Sequence, residues 1–370
     1  MSSGFIPPAY PYDRLAPLAA VAEAHSGGAV DLSVGTPHDP PPPAAVAALA
    51  SSGTERGYPP SIGTATLREA AAGWLRRRLD VEVPPCAVAV CMGTKELVAG
   101  LPHWLRLRTP DRDRVLYPAV SYPTYAMGAV LAGCRPVPVP LDGQWRLDLS
   151  AVSSEDAERA VCLWSNTPGN PAGGLDDLPA LVTWGRHHGV PVLSDECYVE
   201  FTWDGPRRSV LQSGSEGVLA VHSLSKRSNL AGLRIGFYAG DPELVEYLSE
   251  LRKHAGFMVP GPVQAAAAAA LGDDAHVDAQ AERYLRRLRR CRDILVRGLG
   301  VDVPLPGGSF YLWAPAPGGD AWGFTERLAT EAGCLVAPGE FYGPAPGHVR
   351  MAMVQPDDRL ELLARRLGVE

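Results

Sequence analysis

Nowhere in its 370 residues does the chain hold the roughly 18 to 20 consecutive apolar residues that a membrane-spanning helix needs. Its opening, MSSGFIPPAYPYDRLAP, has neither a basic stretch nor an apolar run of signal-peptide length, so no leader is expected and cytoplasmic residence is the default. Cysteine is scarce: there are seven, an odd count with no CxxC pair. Cys162 and Cys197 fall inside apolar strand-like runs, where a thiol behaves as a small hydrophobe, and neither a disulfide framework nor a zinc site is expected. Concentrated charge is missing too. The formal −7 is spread along the chain, and the one basic cluster, Arg283 to Arg292, shares a helical pattern with Tyr284, Leu285, Leu288 and Ile294. It reads as a solvated helix face, not a nucleic-acid contact. There is no internal repeat.

What is present is the composition of an ordinary globular protein, 46% hydrophobic and 20% charged, long enough for a large domain with a lobe attached. The segment PHDPPPP, residues 37–43, can be neither helix nor central strand and reads as an extended connector after an N-terminal arm. Beyond it, short apolar runs alternate with helix-length segments: AVAVC at 87–91, VLYP at 115–118, AVCLW at 160–164, VPVLSD at 190–195, GVLAVHS at 217–223 and IGFYAG at 235–240. That alternation predicts an α/β fold with a mostly parallel sheet covered on both faces. From Glu243 to Leu299 the pattern is helical and includes the tract Ala265 to Ala270; the tail alternates strand-like and helical segments, predicting a smaller α+β lobe. The expected division is an arm over 1–40, a large domain over 41–255 and a small domain over 256–370.

In such sheets ligands bind beyond the carboxyl ends of strands, so the polar residue after each apolar run is the one to inspect. SLSKRSNLAGLRIGFYAG, residues 223–240, puts Lys226 beside hydroxyls at a strand exit, where an amine can form a Schiff base with an aldehyde cofactor, and adds Ser223 and Arg234 as anion ligands. LSDECY, residues 193–198, ends a strand at Asp195; a carboxylate there can keep a pyridine nitrogen protonated, or can cap a helix. Tyr198 can donate to a phenolate oxygen on the same ring. SNTPGNPAGG, residues 165–174, is a tight turn in which Asn170 points at a ligand or bonds its own backbone. Gly93 and Thr94 in VCMGTKE make a strand-to-helix turn suited to phosphate, or to capping. Tyr122 offers a flat ring that stacks on a pyridine or packs in the core. Arg350, within the apolar strand HVRMAMV, is costly to bury unless it meets a substrate carboxylate or an internal salt bridge.

In this order and spacing, these segments resemble the class I/II aminotransferases of fold type I, which depend on pyridoxal 5′-phosphate (PLP). The resemblance runs from about Asp31 to the C-terminus and includes LSVGTP, GYPPSIGTATLREA, NPAG, DECY, SLSK, GLRIG and PGGSFYLW. One departure is Ala172, where the family commonly has threonine in NPTG. The resemblance implies a seven-stranded-type sheet in the large domain, Lys226 as cofactor lysine and proton shuttle, Asp195 on the ring nitrogen, and Asn170 and Tyr198 on the ring oxygen. Tyr122 would stack on the ring. Gly93, Thr94, Lys95, Ser223, Ser225 and Arg234 would surround the phosphate, with Tyr58 reaching it from the other subunit of a homodimer. Arg350 would hold the substrate α-carboxylate, with Gly35 approaching by its backbone.

Within the family the chain is most similar to actinobacterial-type N-succinyldiaminopimelate aminotransferases of lysine biosynthesis, through GTKELVAGLPHWL, YPTYAMGAVLAG, DECYVEFTWDG and RKHAGFMVPGPVQAAAAAA. That implies an amino-acid donor such as glutamate and an oxo-acid acceptor with a distal carboxylate. Lys95, Arg227, Arg14 and Arg56 are the candidate cations for that far end. Other outcomes from the same residues are an aminotransferase of a specialised pathway, a C–S β-lyase or, from another class, a non-catalytic ligand-binding relative. No nucleic acid, membrane or metal is expected as a partner.

Overall fold

In the computed structural model, which describes residues 4–344 and 347–369, all six apolar runs are strands and a seventh joins them. In chain order the strands are β1 (Val30–Asp31), β2 (Val88–Cys91), β3 (Arg114–Pro118), β4 (Arg135–Val139), β5 (Ala160–Asn166), β6 (Val192–Asp195), β7 (Val218–Ser223) and β8 (Gly236–Gly240). They are followed by β9 (Tyr311–Pro315), β10 (Cys334–Leu335), β11 (Ala337–Pro338) and β12 (His348–Ala352). The main sheet runs β2-β8-β7-β6-β5-β3-β4, with β8 antiparallel to both its neighbours and every other pair parallel.

A parallel sheet is stable only when both faces are covered, and β2, β5, β6, β7 and β8 are buried along their whole length. Alternate side chains feed two cores: Val192, Val218 and Ala220 one side, Leu193, Leu219 and Val221 the other. The strand that the apolar-run reading passes over is β4, sequence RPVPV. It pairs only with β3 and so lies at the sheet edge, where the missing N–H groups of Pro136 and Pro138 cost no central ladder bond.

The smaller lobe is a three-stranded antiparallel sheet, β11-β12-β9, and the parallel pair β1-β10. Helices Ala275–Leu299, Ala321–Ala332 and Asp357–Arg366 enclose its core of Val30, Leu32, Tyr284, Leu288, Leu312 and Met351. Two expected boundaries shift. Within the arm drawn over 1–40, β1 pairs with β10 and helix Ala16–Glu23 packs on helix Ala321–Ala332, so these parts belong to this lobe. Helix Gly261–Gly272, on the small-domain side of the expected break at 255/256, packs on helices Pro43–Ser51 and Ala65–Leu79. Its Ala266, Ala267, Ala270 and Leu271 sit in the large-domain core. An alanine tract has no polar face to declare which core it serves; only the contact decides.

The basic cluster is also only partly solvated. Arg287 is buried and pairs with Asp39 and Asp357, each at 2.6 Å, while Arg290 pairs with Glu361 at 2.7 Å. These arginines clasp the connector and the last helix; Arg286 and Arg289 remain exposed. Among the described residues no helix is long and apolar enough to cross a membrane.

Candidate active site

The carboxyl ends of β5, β6 and β7 open into a cavity of about 530 Å³, closed on the far side by Tyr311 and Arg350 of the small lobe and by Tyr10, Tyr12 and Gly35. Ser223, the last residue of β7, accepts from the Ser225 N–H at 3.1 Å and starts the single turn Leu224–Arg227. That turn delivers Lys226 into the cavity, where its amine donates to the Gly35 carbonyl. Burial, with added repulsion from Arg350 and Arg234, pushes the Lys226 pKa down to about 8, so the amine is partly neutral near neutral pH.

Asp195 ends β6, one strand over. Its carboxylate accepts from the Tyr125 hydroxyl at 2.7 Å and from the Cys197 N–H at 3.2 Å, and burial raises its pKa. A cationic ring nitrogen is the partner that reverses such a shift. Glu196 faces the opposite side of the sheet, accepting from the Val210 N–H at 2.7 Å. The two readings of the SNTPGNPAGG turn fall on different asparagines. Asn166 fixes the turn by accepting from the Asn170 N–H at 2.8 Å, which leaves the Asn170 side chain to accept from Arg350 Nη1 at 2.9 Å.

Arg350 is buried in β12, yet no carboxylate among the described residues pairs with it. Its guanidinium donates to the Ser33 carbonyl at 2.5 Å and lies over the rings of Tyr311 and Tyr342, at 4.2 and 4.9 Å, while its Nε has no hydrogen-bond partner among the described residues. A buried cation without a counter-ion suits an anion, and the salt-bridge alternative is not formed among the described residues.

The strand-to-helix turn after β2 has Gly93 at φ 77, a conformation that favours glycine, and its open Cα leaves room for the Arg234 guanidinium. Arg234 itself sits at φ 53, a left-handed conformation strained for arginine, which points its side chain across the turn. The free N–H groups of helix Thr94–Arg108, Ser223, Ser225 and Arg234 together suit a phosphate. Tyr122 and Tyr198 line the cavity, and the Tyr198 hydroxyl is 2.9 Å from that of Tyr311. Tyr58 does not line it; that side chain is 96% exposed.

Of the four candidate distal cations, Lys95 alone lines the cavity, its Nζ 3.3 Å from the Tyr10 hydroxyl and 4.6 Å from the centre of that ring. Arg227 is buried elsewhere against Trp74 and Glu200. Arg14 pairs with Glu340 at 2.5 Å, and Arg56 is an exposed residue outside the lining. Cys197 needs correcting: β6 stops at Asp195, so the thiol lies in the exit turn and lines the cavity, its Sγ 3.5 Å from the Thr94 hydroxyl. Tyr10, Tyr12, Tyr125 and Tyr311 escape the sequence reading. For Tyr125 the signal was present, one helical turn beyond Tyr122; the others arrive from the small lobe and the N-terminal segment.

A strand-exit lysine, a buried carboxylate, a flat aromatic side chain and a phosphate-binding turn around one cavity fit PLP. The family described as aminotransferase class I and II matches residues 28–367. The 4-dedimethylamino-4-oxo-anhydrotetracycline transaminase of Streptomyces rimosus is 46% identical over 97% of this chain and 99% of its own length. An LL-diaminopimelate aminotransferase of Desulforudis audaxviator is 36% identical over 97% and 95%. The solved structure of a probable N-succinyldiaminopimelate aminotransferase from Thermus thermophilus superposes with a TM-score of 0.86 at 31% identity, covering 96% of this chain and 99% of that one.

Proposed function

Because the chain belongs to the class I and II aminotransferases, a PLP-dependent family, we propose that it moves an amino group from glutamate or a similar donor to an oxo acid bearing a second carboxylate at its far end. The specific reading is N-succinyl-LL-2,6-diaminopimelate:2-oxoglutarate transamination in lysine and diaminopimelate biosynthesis. One observation carries it: a single cavity holds a buried arginine without a counter-ion, Arg350, and at another point of its wall the ammonium of Lys95. The relatives named for diaminopimelate substrates support the same class.

Bound PLP supplies an electron sink for the charge that develops at the substrate Cα. In this reading Lys226 holds the cofactor and then carries the Cα proton, a task for which an amine with a pKa near 8 is suited. Asp195 keeps the ring nitrogen protonated, and Asn170 and Tyr198 bond the ring oxygen. Gly93, Thr94, Lys95, Ser223, Ser225 and Arg234 gather round the phosphate; Lys95 also faces the far end of the acceptor. Arg350 and Asn170 orient the α-carboxylate, with the Gly35 backbone against it. The active unit is a homodimer in which the exposed Tyr58 of each subunit reaches the other's phosphate.

A second reading is favoured by the tyrosines Tyr10, Tyr12, Tyr122 and Tyr311 along the cavity and by the relative named for a polycyclic ketone: an aminotransferase for a planar substrate of a specialised pathway. A panel of amino donors and oxo acceptors with product identification separates the two. Preference for the succinylated acceptor supports the first, and release of ammonia and pyruvate would mark a C–S β-lyase instead.

A further inference from the structure

Between Tyr198, which faces the cofactor, and Arg350, which faces the substrate carboxylate, stands Tyr311, a residue with no role so far. It is the first residue of β9, and β12 pairs beside it, so Arg350 and Tyr311 come from neighbouring strands of one small sheet. The Tyr311 hydroxyl is 2.9 Å from that of Tyr198, and its ring lies 4.2 Å beneath the Arg350 guanidinium. All three side chains are buried. We propose that Tyr311 is a positioning residue that couples the two halves of the site, its hydroxyl setting how strongly Tyr198 donates toward the cofactor ring oxygen and its ring sensing the charge on Arg350. The inference rests on the placement of PLP at Lys226.

The physical chain is short. A hydroxyl that accepts one hydrogen bond donates its own proton more strongly, because each bond polarises the next. Either hydroxyl can donate across the shared bond; with PLP held, the one Tyr198 proton would go to the ring oxygen, so Tyr311 would have to donate to Tyr198, which then donates more strongly and favours the anionic ring oxygen. The cation over the Tyr311 ring makes that phenol a better donor; when a substrate carboxylate neutralises Arg350, the donation weakens and the ring oxygen becomes more basic. Asn170, bonded to Arg350, is a parallel route, so Tyr311 carries part of the coupling. The groups facing the Tyr311 phenol from the packed elements are Tyr198, Arg350, Tyr12 of the N-terminal turn, Tyr122 after β3, Tyr284 of helix Ala275–Leu299 and Tyr342, with Lys226 lining the same cavity. Burial raises both phenols, and the Arg350 charge works against it at Tyr311, whose pKa stands at about 12.

The test is spectroscopic and uses the holoenzyme. The pH midpoint of the visible absorbance of the lysine-bound cofactor is measured with and without saturating glutarate, a dicarboxylate lacking the reactive amino and oxo groups. Wild type should show a higher midpoint with glutarate. Tyr311→Phe, which keeps the ring over Arg350, should raise the ligand-free midpoint by a few tenths to about one pH unit, the range of one neutral hydrogen bond, and should shrink the rise caused by glutarate. In Tyr198→Phe the further change Tyr311→Phe should do nothing, since the link is already cut. Wild-type behaviour of Tyr311→Phe, or shifts that add independently of Tyr198→Phe, would reduce Tyr311 to packing and overturn the proposal. Should Tyr311→Phe fail to hold cofactor, Tyr198→Phe alone decides: an undiminished glutarate response there refutes the coupling. A wild-type holoenzyme with no pH-dependent visible band would instead sink the Lys226 reading beneath it.

Discussion

Replacing Lys95 with alanine removes the one of the four candidate distal cations that lines the cavity, leaving Arg350, Lys226 and Arg234 in its wall. The Lys95 ammonium has no carboxylate partner among the described residues; it meets the Tyr10 hydroxyl at 3.3 Å and the rings of Tyr10 and Tyr122 at 4.6 and 5.7 Å. It is charged at neutral pH: burial works against the charge, but Tyr122 and Tyr10 together hold its pKa above the ordinary value. A hydrogen bond to a charged group is worth about 1.5 to 3 kcal/mol, or roughly 10- to 150-fold. Because Lys95 is exposed and screened by water, the lower end applies, about 10- to 30-fold. The assay is kcat/KM for the succinylated oxo acid and for pyruvate with glutamate as donor, in wild type, Lys95→Ala and Arg14→Ala. The succinylated acceptor should lose that factor in Lys95→Ala beyond any loss that pyruvate shares through the phosphate, and Arg14→Ala should change neither. Equal losses for both acceptors would show that Lys95 serves the phosphate and not the distal end. An unchanged succinylated rate would refute the reasoning, as would a wild-type enzyme that handles pyruvate far better.

Asp195→Ala should retain PLP yet lose at least ~10²-fold in kcat, because a neutral pyridine is a poor electron sink; near-normal turnover would reduce Asp195 to a turn former. In the apoprotein, Lys226 titrates at about 8 in place of its ordinary 10.5, so between those values the unfolded chain binds more protons than the folded one and stability rises with pH. The full penalty is therefore present below pH 8. Lys226→Met should stabilise the apoprotein at pH 7 by up to about 3 kcal/mol and flatten the slope of stability between pH 8 and 10.5; denaturant titrations giving parallel pH profiles for the two proteins would contradict the depressed amine. Mixing inactive Tyr58 and Lys226 variants should restore activity through hybrid dimers, and full activity in a monomeric wild-type fraction would exclude a shared site.

Much of the site lay open in the chain because a parallel strand announces itself twice, as a continuous apolar run and as the polar residue that ends it. Lys226 and Asp195 stand at such exits, and the turn at Gly93 follows another; each of these depends on a few neighbouring residues, so local pattern suffices. Arg350 was legible for a related reason, a guanidinium in a strand otherwise apolar. Where the local pattern carried no such contrast the reading failed: RPVPV hid an edge strand behind its prolines, and the alanine tract gave no sign of its core. Cys197 counts as part of a strand-like run although the strand itself reads as ending at Asp195, and the thiol lies in the exit turn.

The sequence by itself therefore determined six of the seven strands of the main sheet and the polar residues at their exits, since those follow from side-chain periodicity and backbone propensity within short windows. Which groups meet across the cavity was decided only by tertiary structure. Arg350 and Asn170 are 180 positions apart, and Lys95 reaches Tyr10 across 85. The placement of Lys95 in the cavity wall with Arg14, Arg56 and Arg227 outside it, and the contact between Tyr198 and Tyr311, arise from how the small lobe and the N-terminal segment close over the strand exits. No spacing in the chain encodes that closure, because it depends on the packing of two cores against each other.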